Sequence, residues 1–314
     1  MKTQSACVVD DNESLTSEPV EININEPEWF QEELYQSLVA YSEDEPTLKE
    51  ALRGDEKHKW WNAIEAELKQ IENLHTYDLV EAPSNANIIP SIYVFCRKRN
   101  EEGLIIRYKA RLVAKGYKQK FGVDYNETFT PTVCPATLRI ILSLGAQKNA
   151  SIHQIDVKNV YLNSYLDKNK ELYMELPPLY HEFRDLPPNL QNSRKIICKL
   201  CRPLYRTKQG AQNWYMEVVQ VLTELGFTMS NADEALFFKI QGERYTLVGV
   251  ATDDFTIVTD SDETVNKFKS QLTIYWKISD LGPINWLLGV AISHDLINHT
   301  ISLSQESYIE QILV

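Results

Sequence analysis

Two adjacent carboxylates, Asp253 and Asp254, interrupt the apolar run "LVGVATDDFTIV". Val248 and Val250 alternate ahead of them, and Phe255, Ile257 and Val258 follow, so the segment reads as strand, tight turn, strand with the pair on the turn. Aspartate tolerates unusual backbone angles and bonds its own backbone, so a simple turn accounts for the pair. A bound cation is the other account. A third carboxylate, Asp156, closes the apolar stretch "IHQID". Upstream, the segment 97–120 holds nine basic residues against Glu101 and Glu102. Within it Arg107, Lys109 and Arg111 are spaced by two, so on a strand they project from one face. Such a face binds a polyanion or is simply solvated, and the clean spacing favours the polyanion. Cys198 and Cys201 form a lone C-x-x-C with no second ligand pair in sequence, which points to a structural role.

Helices and strands must carry these groups. "KHKWWNAIEAELKQIENL" places Trp61, Ile64, Leu68 and Ile71 on one helical face. "YDLVEAP", "IYVFCRKRN" and "IIRYKARLVAKGY" follow as three strands, so the basic residues lie on and between strands. "TLRIILSLGAQKN" reads as a helix capped by Thr137, and "SIHQIDVKNVYLN" as a strand entering a turn or helix. "QGAQNWYMEVVQVLTELGF" turns Trp214, Val218, Val221 and Leu225 inward. After the Asp253–Asp254 hairpin, "DETVNKFKSQLTIYW" does the same with Val265, Phe268, Leu272 and Trp276. "WLLGVAIS" and "TISLS" form a second hairpin, and "SQESYIEQIL" starts a last helix.

The order strand, helix, strand, strand, helix predicts an α+β fold with a split β-α-β sheet and helices on one face. That sheet lays the Asp156 strand beside the hairpin, so three carboxylates converge at its edge. Crowded carboxylates repel unless divalent cations neutralise them, and hard oxygen ligands select magnesium or manganese. Two such ions can activate a sugar hydroxyl and stabilise a pyrophosphate leaving group.

The bulk composition agrees with a soluble globular chain: 314 residues, 43% hydrophobic and 24% charged. Its net charge of -12 looks hostile to nucleic acid, but residues 1–45 contain twelve acids against Lys2 alone. The acidic stretch to about residue 47 has little periodicity beyond a short amphipathic helix in "EPEWFQEELYQSL", and reads as a disordered tail. No run approaches the roughly 20 apolar residues of a membrane span, and no signal peptide opens the chain. Five scattered cysteines suit reduced thiols, hence a cytoplasmic or nuclear rather than secreted protein.

From about Trp60 onward the chain resembles the reverse transcriptase of copia-type long-terminal-repeat retrotransposons. The carrying segments are "RYKARLVAKGYKQKFGVDYNETFTPTV", "IHQIDVKNVYLN", "KQGAQNWY", "TDDFTIV" and "SDLGPINWLLGVAIS", in the family's order. The resemblance implies an RNA-directed DNA polymerase shaped as a right hand: an N-terminal helix and fingers over 48–150, a ferredoxin-like palm over 151–285, and a primer-grip-like hairpin with the start of a truncated thumb over 286–314. It implies a fragment of a Pol polyprotein lacking the protease, integrase and RNase H portions.

By the same resemblance Asp156 and Asp253 are bridging ligands of two magnesium ions (manganese as a substitute), Asp254 is a supporting carboxylate, and the Val157 carbonyl completes one metal shell. Lys109 and Arg111 match residues that meet the incoming triphosphate. Tyr161 matches the ring that excludes a 2′-hydroxyl, and Lys208 and Gln209 open the helix lining the template and nucleotide pocket. The implied partners are a primed RNA or DNA template, deoxynucleoside triphosphates and other Pol products, in a cytoplasmic virus-like particle or the nucleus, with no membrane. The sequence departs from the family at Arg206 and Thr207, Ala251 and Thr252, Ser164 and Gln212. Those departures define an alternative, a decayed or co-opted copy that keeps the fold and nucleic-acid binding without catalysis.

Overall fold

A computed structural model of the chain describes residues 44–100, 103–167 and 170–313. The acidic stretch to residue 43, including the amphipathic helix expected in it, lies outside the described residues. The Asp44 carboxylate is 2.7 Å from the Arg99 guanidinium, and Thr47 closes a reciprocal capping box with Glu50.

The helices are α1 (Leu48–Ala51), α2 (Lys57–Asn73), α3 (Pro135–Gln147), α4 (Val160–Asn163), α5 (Tyr180–Phe183), α6 (Gly210–Glu224), α7 (Asp262–Leu272) and α8 (Glu306–Leu313). The strands are β1 (Tyr77–Glu81), β2 (Ile88–Ile89), β3 (Ser91–Arg99), β4 (Ile105–Ala114), β5 (Ser151–Val157), β6 (Leu172–Met174), β7 (Ile196–Leu200), β8 (Thr228–Met229), β9 (Leu236–Gln241), β10 (Arg244–Ala251), β11 (Asp254–Thr259), β12 (Ile278–Pro283), β13 (Trp286–Leu287), β14 (Val290–Asp295) and β15 (Thr300–Ser304).

The fold is a mixed α+β arrangement of several small sheets, the largest ordered β12-β5-β11-β10-β9-β8. Taken with α6 and α7, strands β5, β10, β11 and β12 follow the β-α-β-β-α-β order of a split β-α-β unit. The remaining sheets are β1-β7-β6-β2, the β3–β4 hairpin and β13-β14-β15.

The expectation of helices on one face of the main sheet is corrected. Trp214, Val218 and Val221 of α6 and Val265, Phe268 and Leu272 of α7 cover one face, over Ile155, Val250, Phe255 and Ile257. On the other face, Leu138, Ile141 and Leu142 of α3 pack with Ile152, Ala251 and Val258. Adjacent strand residues point to opposite faces, so the runs of buried residues in β10 and β11 serve two cores at once. Gly145 permits the close approach of α3, since a Cβ there would lie 2.6 Å from the Ile152 side chain. The helix starts at Pro135 after Cys134, ahead of the expected Thr137 cap, because proline's fixed φ suits a first helical turn.

A second core joins α2 to the β3–β4 hairpin. Trp60, Ile64, Leu68 and Ile71 are buried there against Phe95, Ala110 and Leu112, with Trp60 in edge contact with Phe95 at 5.1 Å. Trp60 thus fills the place expected of Trp61, which is only half-buried, 4.5 Å from Phe183. Among the described residues no helix is long and apolar enough to cross a membrane.

Candidate active site

Strand β5 ends at Asp156 and Val157, and β11 runs antiparallel beside it with Asp254 directly opposite Asp156. Ala251 pairs with Asp254 across the β10–β11 hairpin, leaving Thr252 and Asp253 as a two-residue turn. Of the acidic pair, therefore, Asp253 is on the turn, whereas Asp254 opens the strand. Thr252 carries φ 57, a left-handed conformation at the first turn position that glycine adopts most easily. Two bonds hold the turn: Val157 N donates to the Asp253 carbonyl at 2.8 Å, and the buried Trp214 Nε1 donates to the Thr252 carbonyl at 2.7 Å. The register brings Asp156 and Asp254 opposite each other with Asp253 on the adjoining turn, and by strand alternation Asp156 and Asp254 share one face of the sheet.

Their electrostatics show the crowding. Burial pushes the Asp254 carboxyl above its ordinary range; Asp253 and Asp156 push the same way, while a 3.1 Å hydrogen bond from Gln154 Nε2 opposes them. Oδ2 of Asp156 is buried without a well-formed hydrogen bond, and Lys158 Nζ stands 2.5 Å from it. An all-oxygen donor set with a lysine ammonium already drawn to it fits a hard divalent cation. Asp156, Asp253 and the Val157 carbonyl are the oxygens that could hold one.

Tyr161, in α4, is half-buried with its ring 5.4 Å from that of Tyr205. Burial, and then the charge of Asp253, raise its phenol above the usual range. Beside this aromatic pair opens a cavity of about 610 Å³ lined by Lys59 and Glu67 of α2, by Arg107, Lys109 and Arg111 of β4, and by Lys158, Tyr205 and Lys277. The alternating basic residues thus face a shared cavity. Burial, with Arg111 and Arg107 nearby, holds the Lys109 ammonium below its ordinary value. The Arg111 guanidinium lies 5.2 Å from the Tyr205 ring, and its buried Nε makes no hydrogen bond. One acid sits among these cations: burial raises Glu67, and the Leu112 N–H, Arg111 and Lys109 counter that rise.

Lys208 and Gln209 do not line this cavity. Lys208 is exposed, while Gln209 is buried, accepting from Gln119 Nε2 at 2.9 Å and donating to the Asp124 carbonyl at 3.2 Å. Sequence reading passed over Lys158, Gln154, Tyr205 and Lys277. Lys158 was legible, two residues after Asp156; Tyr205 and Lys277 arrive from remote segments with no local signal.

The departures have structural correlates. Arg206 adopts φ 66, so the left-handed turn that glycine serves elsewhere is kept here by an arginine. Its carbonyl packs on Gly116, where a Cβ would sit 1.9 Å away. Ala251 is buried in the α3-side core. Thr207 and Ser164 are buried and donate to the carbonyls of Leu204 (2.7 Å) and Tyr161 (3.1 Å).

Residues 74–314 match the family model described as reverse transcriptase (RNA-dependent DNA polymerase). The chain belongs to that family. Its relatives are of copia type: it is 32% identical over 88% of its length to the retrovirus-related Pol polyprotein from transposon TNT 1-94 of Nicotiana tabacum, covering 20% of that protein. It is likewise 32% identical over 88% of its length to the Pol polyprotein from transposon RE1 of Arabidopsis thaliana, covering 18% of it. Similarity extends to the transposon Ty1-NL2 Gag-Pol polyprotein of Saccharomyces cerevisiae, at 30% identity over 60% of this chain and 10% of the relative. The chain thus spans about a fifth of the plant polyproteins.

Proposed function

We propose that this chain is the polymerase core of a copia-type element and extends a primer on an RNA or DNA template by two-metal nucleotidyl transfer. The observation that carries the reading is the register: Asp254 directly opposite Asp156, with Asp253 on the adjoining turn. In this reading residues 48–150 form the N-terminal helix and fingers, 151–285 the palm, and 286–314 a primer-grip-like hairpin and the start of a thumb.

Asp156 and Asp253 hold the cations, magnesium in the first instance, with the Val157 carbonyl as a further oxygen and Asp254 in support. When bound, such ions lower the pKa of the primer 3′-hydroxyl and neutralise the departing pyrophosphate. Lys109 and Arg111 bind the triphosphate from the basic cavity. Lys158, released from Asp156, lines the same cavity and adds a third cation. Tyr161 stands against the sugar and excludes a 2′-hydroxyl. Gln209 positions the start of α6 through its buried amide, and Lys208 lies beside it toward solvent and template. The partners are the primed template, deoxynucleoside triphosphates and other Pol products, in a cytoplasmic virus-like particle or the nucleus.

The test is primer extension on poly-rA with an oligo-dT primer and magnesium, comparing the native chain with Asp253→Asn. Extension by the native chain that is lost in the variant supports the reading. Equal extension by both would refute the role of the carboxylates. A native chain that binds the duplex yet extends nothing would favour the decayed copy.

A further inference from the structure

We propose that His75, Asp78 and Cys201 form a binding site for one borderline-soft divalent cation, zinc in particular. The site lies on the sheet β1-β7-β6-β2, a different sheet from the one carrying Asp156 and Asp254. Lys199 of β7 pairs with Asp78 of β1, and Cys201 N donates to the Thr76 carbonyl at 2.8 Å. His75 precedes this pairing in a left-handed conformation, φ 49. Three residues from two remote segments thereby meet.

Two of the three ligand pairs already stand near coordination spacing. Nε2 of His75 lies 3.2 Å from Asp78 Oδ1, Cys201 Sγ lies 3.4 Å from Asp78 Oδ2, and one ligand atom from each lies within 4.8 Å of the others. Tetrahedral zinc, with bonds of about 2.0–2.3 Å, places its ligands roughly 3.3–3.7 Å apart. Imidazole, thiolate and carboxylate together select zinc over magnesium or calcium, which prefer oxygen alone. The side chains of His75 and Asp78 are 73% and 51% exposed, leaving room for water as a fourth ligand.

The C-x-x-C reading changes accordingly. Cys198 is buried in the core from within β7, whereas Cys201 lies just past that strand's end beside Asp78, so the two thiols do not share an ion. Histidine and aspartate take the place of the second thiol. Without an ion the Cys201 thiol donates to Asp78; on binding, the S–H bond breaks, sulfur bonds the cation, and the proton leaves to solvent.

The experiment titrates the full chain, stripped by a chelator, with Co2+ as an optical probe and then with Zn2+. One equivalent of cobalt is expected to produce a thiolate-to-cobalt charge-transfer band, which zinc abolishes and millimolar magnesium leaves unchanged. Cys201→Ser should lose the band. His75→Asn, which keeps a residue tolerant of left-handed backbone, should weaken binding at least tenfold, and Cys134→Ser, an exposed thiol elsewhere, should change nothing. Circular dichroism establishes that each variant is folded. Should Cys201→Ser fail to fold, zinc protection of Cys201 from alkylation, read by peptide mass spectrometry on the native chain, replaces it. Absence of the band in the folded native chain, its persistence in Cys201→Ser, or equal alkylation with and without zinc would overturn the proposal.

Discussion

At Asp254, burial and the charges of Asp253 and Asp156 all disfavour ionisation, and the Gln154 amide and the Lys158 charge work against them. A carboxyl whose folded-state pKa lies above its unfolded value binds more protons when folded, so stability falls as pH rises from about 4 through the folded pKa. Asp254→Asn keeps an acceptor for Gln154 and removes the charge. It is expected to raise the thermal midpoint at pH 7 without magnesium and to flatten the dependence of stability on pH above about 4; an unchanged pH profile would show that the crowding is relieved by other means. Asp156→Asn and Asp253→Asn should abolish primer extension while the folded state survives, because both groups stand at a partly solvated sheet end. Far-ultraviolet dichroism alongside the extension assay separates lost chemistry from lost structure.

At the scale of the elements, two of the left-handed residues that are not glycine lie in turns beside the site: Thr252 in the β10–β11 hairpin and Arg206 ahead of α6. For an ordinary residue this backbone costs about 1–2 kcal/mol, and glycine forfeits part of that through its freer unfolded state. Arg206→Gly is expected to stabilise the chain by about 1 kcal/mol, read as a higher urea midpoint at unchanged slope. The reverse holds across the contact: Gly116→Ala would drive a Cβ to within 1.9 Å of the Arg206 carbonyl and should cost on the order of 3 kcal/mol, the upper end of overpacking. Ala251 belongs with these packed positions. Ala251→Tyr would force a ring into the closed core under α3, so Arg206→Gly is the more informative single change.

Across the whole molecule the charge is divided, with acid concentrated in the first 45 residues and base gathered around the β4 cavity. Lys109→Ala and Arg111→Ala are expected to weaken triphosphate binding and to flatten its salt dependence, because each removes a screened charge–phosphate attraction. An unchanged salt dependence would return that face to solvent. Deleting residues 1–43 removes most of the net negative charge, and filter binding should show faster association with a primer–template duplex at low salt that converges with the full chain at high salt.

Periodicity and residue type determined the helical faces of α6 and α7, the hairpin around Asp253, the paired strands β3 and β4, and the alternation that sends Lys109 and Arg111 to one side. These are local properties, set by 3.6- and 2-residue repeats that any short window exposes. Family membership was equally legible, because ordered motifs survive in the linear chain. Tertiary packing alone decided the rest. Trp60 displaced Trp61 from the core because the β3–β4 hairpin meets α2 at a particular rotation. Helix α3 closed the second face of the sheet because β10 and β11 bury residues on both sides, and a strand buried on both faces does not say which helix will cover it. Lys158, Tyr205 and Lys277 meet around one cavity, and His75, Asp78 and Cys201 around one point, only after register fixes which remote residues stand opposite. Register is a property of paired strands, and no single strand contains it.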